Sequence, residues 1–458
     1  MILARINIKS TEMKLRLLTL MAATAIAGAY TAAHEIITDT LTSSPQLYPG
    51  TSREVKIYVP DAYKGTTPAC LYVGLDGILC NAPHVMDSLI AAGKMPVTIG
   101  VFLQPGVITD TNGRVIRYNR SNEFDSPTPK FASFLEQEVL PFVEQHRTSA
   151  GIPVRLSGRA ADRMIFGLSS GGIAAFNAAW HRPDLFSRVF SGVGTFVAMR
   201  GGNDIQAIVR KSEPRPLRIC LQDGTNDIWN ALFGHWYEGN RMLATALDFA
   251  GYDTRYDWSD CKHGVKRASE IFADVMEWIW TGWPEAPKAG KTKNDFLSPL
   301  LIDGSKWEEK PHATPTDRII GKIRSEETFA VYPDGTFCAH THEGSNCLWQ
   351  YILNGGETLH GQAFYWLHSY DNSLLIVSAM TFDGAGNLWV VTNQGIQICD
   401  QNGRVRGIIM LPDGITSVND IIVGDGEVTL VTPTADYVRK FNSTAAVRGV
   451  TPKSQGQG

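Results

Sequence analysis

Residues 163–172 read Arg-Met-Ile-Phe-Gly-Leu-Ser-Ser-Gly-Gly. Arg163 to Phe166 have the character of a short buried strand, and the Ala-rich run that follows has the character of a helix that Pro183 closes. Between them lies Gly167-Leu168-Ser169-Ser170-Gly171, the Gly-x-Ser-x-Gly pattern of a nucleophile elbow in the strand-turn-helix context that it requires. A turn this tight pushes the serine side chain into a strained, exposed position, and side chains at Gly167 or Gly171 are expected to clash with neighbouring backbone. The helix that starts beneath Ser169 favours negative charge at its N-terminus.

A serine hydroxyl is inert at neutral pH without a base, and folds that use this elbow supply one in the chain order serine, acid, histidine. Downstream, the strand-like RICLQ leads into Asp223-Gly224-Thr225-Asn226-Asp227, and TRYDW leads into Ser259-Asp260-Cys261-Lys262-His263. Both loops leave the carboxyl ends of strands, the edge where open α/β sheets place ligands. The spacings of 58 residues from Ser169 to Asp227 and 36 from Asp227 to His263 leave room for the intervening elements. His263 is therefore the expected base and Asp227 the expected acid. Asp227 is preferred over Asp223 because Asp223-Gly224 reads as the turn that leaves the strand.

An oxyanion needs two backbone donors. Ser170, after the nucleophile, supplies one, and the loop Leu75-Asp76-Gly77-Ile78 supplies the other through Gly77 or Ile78. Arg120-Ser121-Asn122-Glu123 reads as a capping or ion-pair structure, and His181 as a structural histidine at a helix end. Trp229, His235 and Trp236 follow the acid loop and are candidates to line a substrate pocket. Buried packing explains them equally well.

Other strands are expected at Arg53–Val59, Cys70–Leu75, Pro96–Phe102, Arg218–Leu221 and Thr254–Trp258. Phe131, Phe134, Leu135, Val139 and Phe142 share one helical face, as do Ile271, Val275, Trp278 and Ile279. The fold class expected is α/β, an α/β-hydrolase fold over residues 34–283, followed by a smaller all-β domain. Residues 284–299, rich in Pro, Gly and Lys, read as a linker. Over residues 300–458 three segments repeat a strand, an Asp-Gly turn and a strand: 328–340, 380–392 and 420–432. From Asp334 to Asp383 is 49 residues and from Asp383 to Asp425 is 42, the length of one four-stranded propeller blade. Three such units are too few for an ordinary closed propeller, so an incomplete, propeller-like domain is expected: an abbreviated propeller, an open sheet array, or a unit that closes against another surface.

The chain has 458 residues, a net charge of −4 and 19% charged residues, which excludes disorder and gives no basic footprint for nucleic acid or anionic membrane. Lys14 and Arg16 precede the apolar run Leu17–Ala29, with small residues after it, so residues 1–33 are expected to be a signal peptide and the mature protein periplasmic or secreted, free of the membrane. Seven cysteines cannot all pair, and Cys338 with Cys347 is the most plausible local bridge. No paired metal-ligand spacing is present, so neither a metal nor a cofactor is expected.

The motifs GLDG, RYNRSNEFD, FGLSSGGIAAFNAAWHRPDLF, LQDGTNDIWN and LDFAGYDTRYDW, spread over Tyr48 to Trp283, resemble the esterase family typified by enterochelin esterases and by feruloyl and acetylxylan esterases. That resemblance implies Ser169, Asp227 and His263 as nucleophile, acid and base. One departure is that the family's histidine usually follows a glycine, whereas Cys261-Lys262 precede it here. The stretch FDGAGNLWVVTNQGIQICDQNGRVRGIIMLP resembles gluconolactonase-like propellers, whose divalent-ion ligands are acidic and Asn side chains, with Glu327 and Asn393 as remnants. The expectation is a serine esterase acting on acyl esters, with feruloyl or acetyl groups on plant oligo- or polysaccharide as its substrate. The alternatives are a siderophore-type or other small-ester hydrolase and a catalytically silent carbohydrate-binding protein.

Overall fold

The computed structural model describes residues 34–312, 328–424 and 426–442. The expected signal peptide, Glu327 and the last sixteen residues lie outside the described residues. No helix among the described residues is long and apolar enough to cross a membrane.

The α/β part is built on a ten-stranded mixed sheet. In chain order its strands are β1 (His34–Thr42), β2 (Ser52–Pro60), β3 (Cys70–Leu75), β4 (Thr98–Leu103), β5 (Val107–Thr109), β6 (Val115–Tyr118), β7 (Arg163–Leu168), β8 (Arg188–Gly192) and β9 (Arg218–Asn226), with β12 (Asp253–Lys262) last. A small hairpin, β10 (Trp229–Asn230) with β11 (Gly234–His235), stands apart from the sheet. The spatial order β12-β9-β8-β7-β3-β4 is parallel throughout. β2 then joins β4 antiparallel and carries β1 along its other edge. This is an α/β-hydrolase-like layout.

Both faces of the central strands are covered, so β3, β4 and β8 are buried along their whole length and read as continuous apolar runs, not as alternation. On one face, helix Val265–Trp280 packs Phe272 against Tyr72, Phe166 and Phe190 at ring separations of 5.3–6.3 Å. On the other, helix Ser170–His181 is buried at every residue but His181, which its Ala and Gly content permits by keeping the helix thin. The apolar face at residues 131–142 is one continuous helix whose middle turn, Leu135–Val139, is a π-helix.

The C-terminal part consists of three four-stranded antiparallel sheets. Each of the three repeated segments forms the first hairpin of one sheet: Phe329–Val331 with Phe337–His340, Val377–Phe382 with Leu388–Thr392, and Asp420–Val423 with Glu427–Val431. The third sheet is completed by Glu308–Pro311, the first strand after the connector, pairing with Ala435–Lys440, the last.

Two expectations need correction. The stretch 284–299 is not a free spacer: Thr292 and Asn294 are buried, the Lys293 amide donates to the Phe249 carbonyl, and Asn294 Nδ2 donates to the carbonyls of Arg210 and Arg406. A side chain at Gly290 would run into the Gly251 backbone and one at Gly251 into the Lys291 backbone, so neither position has room for one. Cys338 and Cys347 do not bridge. All seven cysteines are free, and in the strand register Cys338 faces Tyr351 while Cys347 faces Trp366.

Candidate active site

Ser169 follows β7 at φ 59° and ψ −122°, a strained conformation for a residue with a side chain, and it precedes the first turn of helix Ser170–His181. Gly167 makes the turn possible, since a Cβ there would lie 2.2 Å from the Gly171 carbonyl oxygen. At Gly171 the expectation changes in detail, because a Cβ would meet the Asp76 side chain at 3.1 Å and Leu75 Cβ at 3.4 Å, not backbone.

His263 lies in the loop after β12, with Nε2 2.9 Å from Ser169 Oγ and Nδ1 2.6 Å from Asp227 Oδ1. Asp227 follows β9. Its Oδ1 also accepts the Ile228 amide at 2.5 Å, and its Oδ2 is buried. Although burial works to raise the Asp227 carboxyl, hydrogen bonds from His263 and Asp223 outweigh it and hold the group below the usual carboxylate range. Asp223, the alternative acid, does not reach His263. It is fully buried, with Oδ1 accepting the Gly224 amide at 2.6 Å and Oδ2 accepting Asn240 Nδ2 at 2.7 Å. Burial first, and then the neighbouring Asp227, push its carboxyl far above the usual range. Two adjacent carboxyls thus have opposite protonation preferences, leaving the charge on the one that faces the imidazole.

The Cys261-Lys262 departure has a structural account. β12 shifts register between Ser259 and Lys262, and Cys261 bulges against Gly224, where a Cβ would lie 2.3 Å from the Cys261 carbonyl oxygen. The flexible residue of this loop is placed after the histidine, at Gly264, with φ 143°.

Among the described residues, no acceptor is bound to the amides of Ser170 or Ile78. The Gly77 amide, by contrast, donates to the Leu103 carbonyl at 3.2 Å, which withdraws Gly77 and leaves the Ile78 amide as the candidate donor of this turn. Arg120 ties this turn to the elbow: Nε and Nη2 pair with Asp76 at 2.7 and 2.8 Å, and Nη1 donates to Ser170 Oγ at 2.9 Å. Glu123 of the same segment is buried in an ion pair with Arg53.

Of the three pocket candidates, Trp229 is exposed at the open end of the β10–β11 hairpin, cross-strand from His235. Trp236 is not available to line a pocket. It is buried, its indole stands edge-on to the His263 ring at 6.2 Å, and its Nε1 donates to Thr195 Oγ1. The sequence reading passed over Asn240, whose Nδ2 donates to both Asp223 and the Gly194 carbonyl. Nothing local in a helix marks such a residue.

His34, His84 and Asp87 hold potential metal-ligand atoms within 4.8 Å of one another. Both Asp87 oxygens are already engaged, one by the Tyr58 hydroxyl and one by His34 Nδ1, each at 2.6 Å. The group therefore reads as a polar anchor between β1 and helix Ala82–Ala91. Asn393 Oδ1 accepts the Ile376 amide, a structural role.

Residues 47–260 match the family model described as "Putative esterase", a span that includes Ser169 and Asp227 and stops just short of His263. Over that span, a little under half of the chain, the sequence is similar to that family. Similar solved structures include a ferulic acid esterase (19% identity, 54% of this chain and 98% of that one, TM-score 0.40). An enterobactin esterase from Shigella flexneri is 21% identical over 55% of this chain and 60% of that one, with a TM-score of 0.40. A feruloyl esterase module from Clostridium thermocellum is 14% identical over 56% and 91%, with a TM-score of 0.39. No curated protein matches the chain.

Proposed function

We propose that the protein is a serine esterase that hydrolyses acyl esters through an acyl-enzyme, with Ser169 as nucleophile, His263 as base and Asp227 as the acid that orients it. The observation that carries this reading is the unbroken hydrogen-bonded line from Ser169 Oγ through His263 to Asp227. His263 Nε2 takes the hydroxyl proton as Oγ bonds to the ester carbonyl carbon, and the oxygen, now an oxyanion, accepts from the Ser170 and Ile78 amides. The alkoxy C–O bond then breaks, Nε2 returns the proton to the leaving alcohol, and the acyl group stays on Ser169. Water, giving a proton to His263, attacks the acyl carbon; the carboxylic acid leaves and Ser169 is re-protonated.

The substrate read here is a feruloyl or acetyl ester on plant polysaccharide fragments, met after export to the periplasm or outside the cell. Its support is the set of exposed apolar side chains beside each catalytic loop: Ile78 at the oxyanion turn, Ile228 and Trp229 after the acid, and Val265 after the base. An aromatic acyl group needs such a surface. The three four-stranded sheets are read as an abbreviated propeller that contacts the polysaccharide or acts as a scaffold.

The test is labelling with a fluorophosphonate, followed by a panel of methyl ferulate, an aryl acetate, feruloylated oligosaccharide and a catecholate triester. Labelling is expected on Ser169, with turnover abolished in Ser169→Ala, and the fastest rate on the feruloylated sugar. Turnover retained by Ser169→Ala overturns the nucleophile; a preference for the catecholate triester replaces the substrate with a siderophore-type ester.

A further inference from the structure

Resting on the esterase reading above, we propose that Arg120 is a positioning residue that sets the spacing of the two oxyanion amides, clamping the turn that carries one to the elbow that carries the other. Arg120 sits on the short helix Arg120–Phe124, which supplies no part of the triad. Its guanidinium nevertheless spans both halves of the cradle. It grips the Asp76 carboxylate in a two-point pair on one side; on the other it reaches Ser170 Oγ at 2.9 Å and the Leu168 carbonyl at 3.4 Å. The planar fork of arginine suits that double grip, and a lysine ammonium, a single point of charge, cannot reproduce it.

Three further observations show that the turn needs the clamp. Asp76 has φ 64° and Gly77 φ 81°, two left-handed residues in succession, and a residue with a side chain persists there only when its surroundings enforce it. The Gly77 amide is pinned to the Leu103 carbonyl, so the turn is held at one side by β4 and tied to the elbow through Asp76. The Asp76 carboxylate also lies directly over the elbow, its Oδ2 3.1 Å from where a Gly171 Cβ would stand. The Asp76 end of the ion pair thus sits two residues before Ile78 and against Gly171, the residue after Ser170.

The clamp has an electrostatic side as well. A carboxylate beside the cradle would oppose a developing oxyanion, and Arg120 offsets its charge. Asp125, another acid close to the guanidinium, is buried, and burial pushes its carboxyl up.

The experiment uses the full chain with p-nitrophenyl acetate and a matched thionoester, whose sulfur is a weak acceptor for the amides. Arg120→Ala should lower kcat on the oxoester about 100-fold, in line with the loss of one oxyanion donor, while KM changes less than about threefold. The thionoester should lose far less, so the oxo-to-thiono rate ratio shrinks about tenfold. Arg120→Lys, which keeps the charge and protects folding, should shrink the ratio to an intermediate value. A kcat within about threefold of native, or equal losses on both substrates in either variant, overturns the proposal. If those results come with an inert Ser169→Ala, the esterase reading survives and only the role of Arg120 falls.

Discussion

Arg439 and Glu213 pair across the boundary between the α/β part and the all-β part, Nη2 to Oε2 at 2.7 Å and Nη1 to Oε1 at 3.1 Å, with side chains only 10% and 9% exposed. Glu213 Oε1 also accepts the Met410 amide, and the Glu213 amide donates to the Ile408 carbonyl. Removing one partner leaves the other charge buried and uncompensated, which costs about 3–5 kcal/mol where it has been measured. Arg439→Met should therefore lower stability in urea by about 3 kcal/mol while turnover of a small aryl ester at 25 °C stays near native. An unchanged urea midpoint would show that the pair contributes nothing net.

The two elbow glycines should respond differently. Gly167→Ala places a methyl carbon against Gly171 backbone at 2.2 Å, which only movement of the turn can relieve. Soluble, active protein should not be recovered. Gly171→Ala meets a side-chain oxygen at 3.1 Å, which can shift by tenths of an ångström. It should fold and lose activity about tenfold as Asp76 is pushed aside, a difference visible in paired expression and rate measurements.

Acid should loosen the boundary. Burial, assisted by the Arg215 charge, holds the His181 imidazole down at about 3, its Nε2 donates to the Pro127 carbonyl, and its ring stands edge-on to Tyr370 of the all-β part at 4.5 Å. His368 is lowered to about 4 by burial and then by Lys211. An unfolded histidine takes up its proton near 6.5. Between there and the folded values the unfolded chain binds more protons, so stability is lost as pH falls from about 6.5 toward 4, by about 1.4 kcal/mol per unit for each histidine. His181→Gln should give a flatter stability curve over that window; an unaltered slope in urea titrations at stepped pH refutes it.

Asp223 predicts the opposite slope. Its folded carboxyl titrates far above the unfolded value, so its neutral form contributes stability that is complete below about pH 4 and declines as pH rises from there. Asp223→Asn removes the titration. Its stability relative to the native chain should improve steadily from pH 4 through neutrality, measured by thermal unfolding, whereas a constant difference would contradict the buried neutral acid.

The elbow and the two loops that bring Asp227 and His263 to Ser169 were legible because each is written locally: a strand, a loop at its carboxyl end, and the candidate residue inside that loop. β1 escaped because HEIITDTLT is a half-exposed edge strand with weak alternation, and β8 because five wholly buried residues directly after a helix-ending proline carry no period. Choosing between the Gly77 and Ile78 amides required knowing where the Leu103 carbonyl lies in the neighbouring strand. The partnership of Arg120 with Asp76, 44 residues earlier, depends on the sheet bringing them together. The connector misled because glycine and proline mark free spacers and close backbone contacts alike. Only the fold tells which.

Thr292 and Asn294, sunk into the boundary with Asn294 bridging the carbonyls of Arg210 and Arg406, deny the all-β part the reach of a tethered module. A module on a loose leash raises the local concentration of whatever it holds, indifferent to orientation. Here any polymer resting on those sheets would be presented to Ser169 at one fixed offset. Under the polysaccharide reading proposed above, the C-terminal part would act as a ruler, choosing among chains by where along their length the ester falls.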